Sequence, residues 1–241
     1  NTIFASTFIG KKDRDVAFGL TLDPNNNVYV VGMTVNPDFQ GDGPTPFPTS
    51  PGAYDTDPGE PGKTKAIIAR LDSELKNLGA ATLLGYNGDE NSGDFRLQDR
   101  VYDVAIDADG NVVVAGETQS TRFPVTSNCA DAKFGGRWES FISKFDPNLQ
   151  NLLASTFIGG ANEESVNVLK IQPDNKIVVA GWTRSSDFPV VQDNFDTSFN
   201  LNEDGFVTRL NSELTFIDAS NFIGGDGGEQ VSDMVIHTDG R

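Results

Sequence analysis

The sequence predicts an all-β fold made of repeated four-stranded units, and three observations predict it. Short phrases recur in the same order about every 70 residues, a period typical of repeat architectures. Apolar residues alternate with polar ones, or form runs of strand length, as pleated strands require. Gly and Pro, with 25 and 12 residues, interrupt the chain too often for helices, and no window shows helical periodicity.

The clearest repeated phrase ends in glycine and occurs four times, at residues 5–10, 81–85, 154–159 and 219–224. Two further phrases follow in constant order: a Phe-Pro pair at 47–48, 123–124 and 188–189, and an apolar phrase at 67–72, 141–146 and 206–211. The chain is therefore predicted to be a single region, residues 1–241. Its repeats span approximately residues 11–85, 86–159 and 160–224, with partial repeats at 1–10 and 225–241.

Four short strands are expected in each repeat. Strand A is predicted at 16–22, 101–106, 166–171 and 231–236, and strand B at 28–32, 112–116 and 177–181. Strand C is the apolar phrase and strand D is the glycine-ending phrase. Turn-forming residues between A and B, such as those at 23–27, predict a tight hairpin, and the continuous apolar character of strand B predicts burial on both faces.

A four-stranded antiparallel unit of this length cannot bury both of its faces alone, so neighbouring units must stack. Radial stacking gives a β-propeller, here with about three full blades and partial strands at both ends. Three blades do not close a ring, whose usual minimum is about four. We therefore expect an incomplete ring, completed by the remainder of a longer chain or by further copies of this one.

Several linked phrases match a known repeat. Phe8-Ile9-Gly10 leads into Asp15-Val16-Ala17, and the segments 23–32, 186–190 and 206–210 follow in order. These phrases resemble the SBBP beta-propeller repeat, over essentially the whole chain. The resemblance implies an extracellular or cell-surface propeller, usually one module of a longer protein, and it implies no catalytic residues.

Charge and composition exclude several classes of function. The chain has 18 basic and 35 acidic side chains, a net charge of −17, which disfavours binding to nucleic acid. Its longest apolar runs, such as 112–115, are far too short for a membrane span. One Cys and one His provide neither a disulfide nor a Cys/His metal cage. With no clustered catalytic set, the chain is predicted not to be an enzyme and to need no cofactor.

One loop resembles the start of a calcium site. Asp107, Asp109 and Asn111 place oxygen ligands at alternate positions, but Thr118 stands where the closing Glu of such a loop belongs. An Asp-Gly hairpin turn between strands A and B is the alternative interpretation. Calcium is thus a possible ligand, with these three residues as candidates.

Two tryptophans are candidates for carbohydrate binding. Trp138 and Trp182 are not repeated, and Trp182 occupies the strand-B position that Met33 and Glu117 hold in the other repeats. An indole at such a variable position could stack on a sugar ring, or it could pack under a loop.

Three more positions carry predictions. The recurrent Phe of the Phe-Pro pair is expected to fill the gap between blades. Each copy of strand C has a cation at the same position, namely Arg70, Lys144 and Arg209. Each of these cations is expected to pair with a nearby Asp. Insertions at 42–46, 57–62 and 87–100 are candidate binding surfaces, because long loops on a rigid scaffold often carry function.

The predicted function is a non-catalytic scaffold or binding module of a secreted or cell-surface protein, acting in adhesion or assembly through its insertion loops. The expected partner is a protein or a surface glycan. A carbohydrate-binding or carbohydrate-active propeller is one alternative. A self-associating subunit of a surface layer or extracellular filament is another.

Overall fold

The computed structural model describes residues 3, 5–11, 14–36, 46–85, 98–191, 195–200 and 202–237. Within these residues all regular structure is β-strand, so the predicted all-β class is confirmed. A helix suited to crossing a membrane is absent from the same ranges.

The strands fall into three groups of four along the chain. The first group is β1 (Asp15–Leu22), β2 (Val28–Val35), β3 (Thr64–Leu71) and β4 (Leu78–Leu84). The second is β5 (Asp99–Ile106), β6 (Val112–Thr118), β7 (Glu139–Phe145) and β8 (Leu152–Ile158). The third is β9 (Glu164–Ile171), β10 (Ile177–Thr183), β11 (Asp204–Leu210) and β12 (Ile217–Ile223).

Each group forms one antiparallel sheet in which consecutive strands are neighbours. We call these sheets blades 1, 2 and 3; one lies within each of the three predicted repeats. The apolar phrases at 67–72, 141–146 and 206–211 fall on the third strand of their blades, in equivalent surroundings. The predicted order of strands A to D is therefore confirmed in all three blades.

A tight turn joins the first two strands of each blade and places a left-handed residue at the same position. These residues are Asn26, Gly110 and Asn175, with φ of 61°, 82° and 64°. Asn and Gly adopt this conformation at low cost, whereas most residues do not. The repeated Asn or Gly thus fixes the hairpin that the sequence predicts.

The blades pack face to face through two apolar cores. The core between blades 1 and 2 includes Tyr29, Val31, Ile68, Val112, Val114 and Phe141. The core between blades 2 and 3 includes Val113, Ala115, Ile142, Leu169, Val179 and Phe206. Strand β6 serves both cores because successive residues of a strand point to opposite faces. Blade 2 is therefore covered on both sides, as the apolar run in strand B predicts.

The Phe of each Phe-Pro pair is buried, with Phe47, Phe123 and Phe188 each 3% exposed. The Phe123 ring lies 4.1 Å from that of Phe141, in the core between blades 1 and 2. The Phe188 ring lies 4.5 Å from that of Phe206, in the core between blades 2 and 3. The prediction that these residues fill the gap between blades is confirmed for Phe123 and Phe188.

A leucine with positive φ stands in the turn between the third and fourth strands of each blade: Leu75, Leu149 and Leu214, with φ of 56°, 57° and 56°. Leu149 and Leu214 are fully buried and accept backbone hydrogen bonds from the preceding blade. Their donors are Tyr54 N–H at 2.9 Å and Ala130 N–H at 2.8 Å. A left-handed leucine costs roughly 1–3 kcal/mol, which this inter-blade packing offsets.

The cation shared by the third strands ties successive blades together. Arg70 Nη1 donates to the Pro147 carbonyl at 2.8 Å, and Lys144 Nζ donates to the Ser212 carbonyl at 3.3 Å. Both acceptors lie in the turn between the third and fourth strands of the next blade. The repeated cation thus makes the same contact at two junctions.

The ion pairs predicted for these cations are present in two blades. Lys144 Nζ lies 2.7 Å from Asp107 Oδ2, and Arg209 Nε lies 2.7 Å from Asp218 Oδ2. The two aspartates come from different parts of their blades: Asp107 from the hairpin turn after β5, Asp218 from β12. Arg70 differs, because among the described residues it forms no ion pair with an aspartate and keeps only its bond to the Pro147 carbonyl.

The two end segments correct the expectation of partial strands. Residues 5–10 and 231–236 were expected to form a strand D and a strand A, but the structure has no strand in either. A strand D pairs with a strand C, and a strand A with a strand B. Every described strand B and C already has two neighbours, so no pairing position is open to these segments.

Two blade faces lack a neighbouring blade within the described chain. On blade 1, Leu20 and Leu22 are 68% and 53% exposed, on the face opposite to that of Val31. On blade 3, Ile223 is exposed on the face opposite to that of Phe222. These apolar faces are equivalent to the faces that blades 1, 2 and 3 bury against one another.

Replacing Phe188 tests the packing between blades 2 and 3. Phe188→Ala is expected to lower the free energy of unfolding by about 3–5 kcal/mol, because it removes a buried ring and leaves a cavity. Urea denaturation measures the change. Phe195→Ala is the control, since Phe195 is 95% exposed in the same loop, and it should change stability by less than about 0.5 kcal/mol. Equal losses in both variants would contradict the proposed packing.

Candidate functional site

The structure brings Trp138 and Trp182 together in one open groove of about 420 Å³ between blades 2 and 3. We call it the tryptophan groove. Its walls include Arg100, Tyr102, Glu117, Trp138, Asn167 and Trp182. It lies at the edge where the first strands of the blades begin and the second strands end.

Strand pairing positions the groove residues. Arg100 pairs with Glu117 of β6, and the register of β5 shifts at Tyr102 in a β-bulge. Arg100 Nη1 donates to the Tyr102 hydroxyl at 3.3 Å, so both side chains reach the same side of the blade. In blade 3, Trp182 of β10 pairs with Ser165 of β9. The backbone at these positions is the same in both blades, but the side chains differ. The repeat therefore provides a uniform scaffold with side chains particular to this groove.

A hydrogen-bonded group forms one wall of the groove. Glu117 Oε1 accepts from Arg100 Nη1 at 2.9 Å and from the Tyr102 hydroxyl at 2.6 Å. Burial raises the pKa of Tyr102 strongly, and the negative charge of Glu117 raises it further. Tyr102 is therefore a neutral phenol at every physiological pH.

Each indole packs against an arginine. The Arg100 guanidinium lies 5.1 Å from the centre of the Trp138 ring, and that of Arg184 lies 5.2 Å from the Trp182 ring. Arg184 also pairs with Glu163 Oε2 at 2.6 Å. These contacts orient the rings and cover part of each indole, while both tryptophans stay partly exposed to the groove.

The chemistry of the groove suits a ligand with both apolar and hydroxyl surfaces. Two indoles offer flat apolar contact, and the polar groups around them offer donors and acceptors. The arginines are paired with glutamates, so their charges are compensated within the protein. The groove could thus hold a sugar, the ligand that the sequence suggests for the two tryptophans.

The predicted calcium loop is a hydrogen-bonded turn. Asp107 Oδ1 accepts from the Asp109 and Asn111 backbone N–H groups at 3.0 and 2.8 Å. Asp107 Oδ2 accepts from the Asn111 side chain at 3.0 Å and pairs with Lys144 at 2.7 Å. A calcium ion here would have to displace Lys144. In the part of the chain that the structure describes, no group of three or more His, Cys, Asp or Glu side chains is arranged to hold a metal.

The insertions predicted as binding surfaces fall mostly outside the described residues. The segment 42–45 and most of 87–100 lie there. The described part at 57–62 covers Lys65, a fully buried ammonium that forms an ion pair with Asp55. Its Nζ also donates to the Asp57 carbonyl at 2.7 Å. This loop therefore covers a buried ammonium whose charge Asp55 neutralises.

Comparison with known proteins gives one family match. A family model described as a domain of unknown function (DUF5122) beta-propeller matches residues 172–192. The match supports a beta-propeller. It covers the hairpin turn before β10, β10 itself with Trp182, and the Phe188-Pro189 pair, but it does not distinguish the SBBP repeat, which stays a prediction. No curated protein matches the chain.

Sequence analysis identified both tryptophans but not their proximity, because they lie in different blades. It also missed Tyr102 and Arg100, whose strand positions hold Asn167 and Ser165 in blade 3. Both residues could have been found by aligning the repeats and looking for positions where one repeat has a charged or aromatic residue and the others do not.

Replacing Asp107 tests its role as the partner of Lys144. Burial alone would raise the Asp107 pKa, but hydrogen bonds from Lys144 and Asn111 lower it below the ordinary value of 3.8. Its stabilising contribution is therefore present above pH 3.8 and is lost as the pH falls through the lower folded pKa. Asp107→Asn should lower the free energy of unfolding by about 1.5–3 kcal/mol at neutral pH. The difference from wild type should shrink as the pH falls below 3.8.

Urea denaturation across a pH series measures this difference. Asp109→Asn is the control, since Asp109 is an exposed residue of the same turn, and it should leave the pH profile unchanged. A constant destabilisation by Asp107→Asn down to the lowest pH would show that charge is not the cause.

Proposed function

We propose that this chain is a non-catalytic propeller module of a secreted or cell-surface protein, and that it binds carbohydrate in the tryptophan groove. The observation that carries the proposal is the convergence of Trp138, Trp182 and Tyr102 in one open groove. Binding there would serve adhesion or assembly, as the resemblance to surface propellers suggests. The rigid blades would hold the groove in shape before the ligand arrives.

A neutral sugar is the best-supported ligand. Pyranose rings present an apolar face and a rim of hydroxyl groups, which match an indole and its polar neighbours. The groove has no uncompensated arginine among the residues named above, since Arg100 pairs with Glu117 and Arg184 with Glu163. The net charge of −17 also disfavours acidic glycans.

The carboxyl groups support binding rather than hydrolysis. Glycosidases use a carboxylic acid with a raised pKa that reaches the scissile bond. Glu139 and Glu164 have raised pKa values, but both are fully buried and cannot reach a ligand in the groove. Glu117 and Glu163 do line the groove, but Glu117 is bonded to Arg100 and Tyr102, and Glu163 forms an ion pair with Arg184.

Assembly through the outer faces is a second candidate function. The exposed Leu20 and Leu22 of blade 1, and Ile223 of blade 3, occupy faces that are buried wherever two blades meet. A further blade of the same kind would cover them, whether it came from the same polypeptide or from another copy. Such contacts would support the predicted role in a surface layer or filament.

Replacing Trp182 tests the glycan-binding proposal. A glycan array identifies a ligand, and titration calorimetry then measures its affinity. Trp182→Ala should weaken binding about 30-fold or more, the effect of losing a central aromatic contact of about 2 kcal/mol. Phe216→Ala is the control, because Phe216 is exposed outside the groove, and it should bind as wild type does.

A hydrolysis screen on the same glycans completes the test. We expect binding without turnover. Turnover would contradict the non-catalytic role, and wild-type affinity in Trp182→Ala would contradict the position of the site.

A further inference from the structure

Two glutamates meet where blade 2 joins blade 3. Glu139 is the first residue of β7, and Glu164 is the first residue of β9. Both are fully buried, with 0% of each residue exposed. A buried carboxylate needs a compensating partner, because transfer of an isolated charge from water is very unfavourable.

Each glutamate has one satisfied and one unsatisfied oxygen. Glu139 Oε2 accepts from the Gly135 N–H at 2.7 Å, and Glu164 Oε1 accepts from the Thr183 hydroxyl at 2.9 Å. Glu139 Oε1 and Glu164 Oε2 have no hydrogen-bond partner among the described residues. Both unsatisfied oxygens lie within 2.5 Å of the position that a Cβ on Gly159 would take. The two oxygens therefore lie close to each other beside this glycine.

The surroundings add negative charge rather than positive charge. Within the described residues, no Lys or Arg forms an ion pair with Glu139 or Glu164. Burial raises the pKa of Glu139 to about 8, and Glu164 and Asp131 raise it against the hydrogen bonds from the glycine N–H groups. Burial also raises the pKa of Glu164 against hydrogen bonds from the Ser185 and Thr183 hydroxyls and the Gly160 N–H, and the charge of Asp187 adds to the rise. The pair needs a cation or a shared proton.

A related arrangement occurs at the next glycine of the repeat. Asp204 Oδ1 and Glu229 Oε2 both approach the Cβ position of Gly224, and Asp204 Oδ1 has no partner within the described chain. Asp204 and Glu229 occupy the repeat positions of Glu139 and Glu164. Glu229 Oε2, however, accepts from the Gly225 N–H at 3.2 Å, so among the described residues the pair at Gly159 alone has two oxygens without a partner.

We propose that Glu139 and Glu164 form a binding site for a divalent cation of the Ca²⁺ type, which links blades 2 and 3. The two facing oxygens are close enough for one ion to contact both at the roughly 2.3–2.6 Å typical of Ca²⁺. Backbone carbonyls and water would supply the remaining oxygens, as in other calcium sites. The site is separate from the Asp107 turn and does not depend on the proposed glycan binding.

Calcium titration of chelator-treated protein tests the site. Ca²⁺ at about 1–5 mM, near pH 7.5, should raise the thermal midpoint of wild type by roughly 2–4 °C or more. Glu164→Gln and Glu139→Gln keep the shape of the side chain but remove its charge. In either variant the calorimetric stoichiometry should fall by one ion per chain. Circular dichroism verifies that the variants are folded.

Asp109→Asn separates this site from the predicted calcium loop, and it should bind Ca²⁺ as wild type does. Loss of binding in Asp109→Asn, with retention in the glutamate variants, would overturn the proposal. Absence of Ca²⁺ binding by the wild type would also overturn it. If the pair shared a proton instead, wild-type stability would fall as the pH rises from 4.5 towards about 8, and Glu139→Gln would reduce this dependence.

Discussion

A four-stranded sheet with two apolar faces has to be covered on both of them, and the arrangement of this protein follows from that requirement. Val112 and Val114 of β6 enter one core, while Val113 and Ala115 enter the other, so blade 2 is stable only between two neighbours. Burial of apolar area, at roughly 25 cal/mol per Å², outweighs the polar contacts between blades. Contacts such as Arg70 with Pro147 add geometric definition to this packing.

The same stacking explains which positions can carry different functional side chains. Each blade repeats the backbone of its neighbour, so equivalent positions meet at every junction in the same geometry. Glu117 and Trp182 occupy one such position and face a common groove. The converging carboxyl groups at Gly159 occupy another, inside the junction of blades 2 and 3. A groove suited to a ligand and a buried acidic pair can thus arise at different positions of one repeat without changing its fold.

Sequence alone predicted the strands well because their signals are local. The Asn or Gly at 26, 110 and 175 defines each hairpin, and the apolar phrases define the third and fourth strands. Contacts between blades were harder to predict, since they join residues that lie in different repeats of the chain. The proximity of Trp138 to Trp182, and of Glu139 to Glu164, depends on how one sheet stacks on the next. The prediction of strands at 5–10 and 231–236 was wrong for a related reason. Pairing requires a free neighbouring strand as well as a suitable sequence.

Amide hydrogen exchange resolved by residue tests most directly whether stacking between blades determines stability. Strands covered on both faces should open only with the whole fold, whereas strands with one exposed face should open locally. We expect β6 and β7 of blade 2 to exchange at least about tenfold more slowly than β1 of blade 1 and β12 of blade 3. Equal protection of all three blades, or the slowest exchange in β1, would contradict the account.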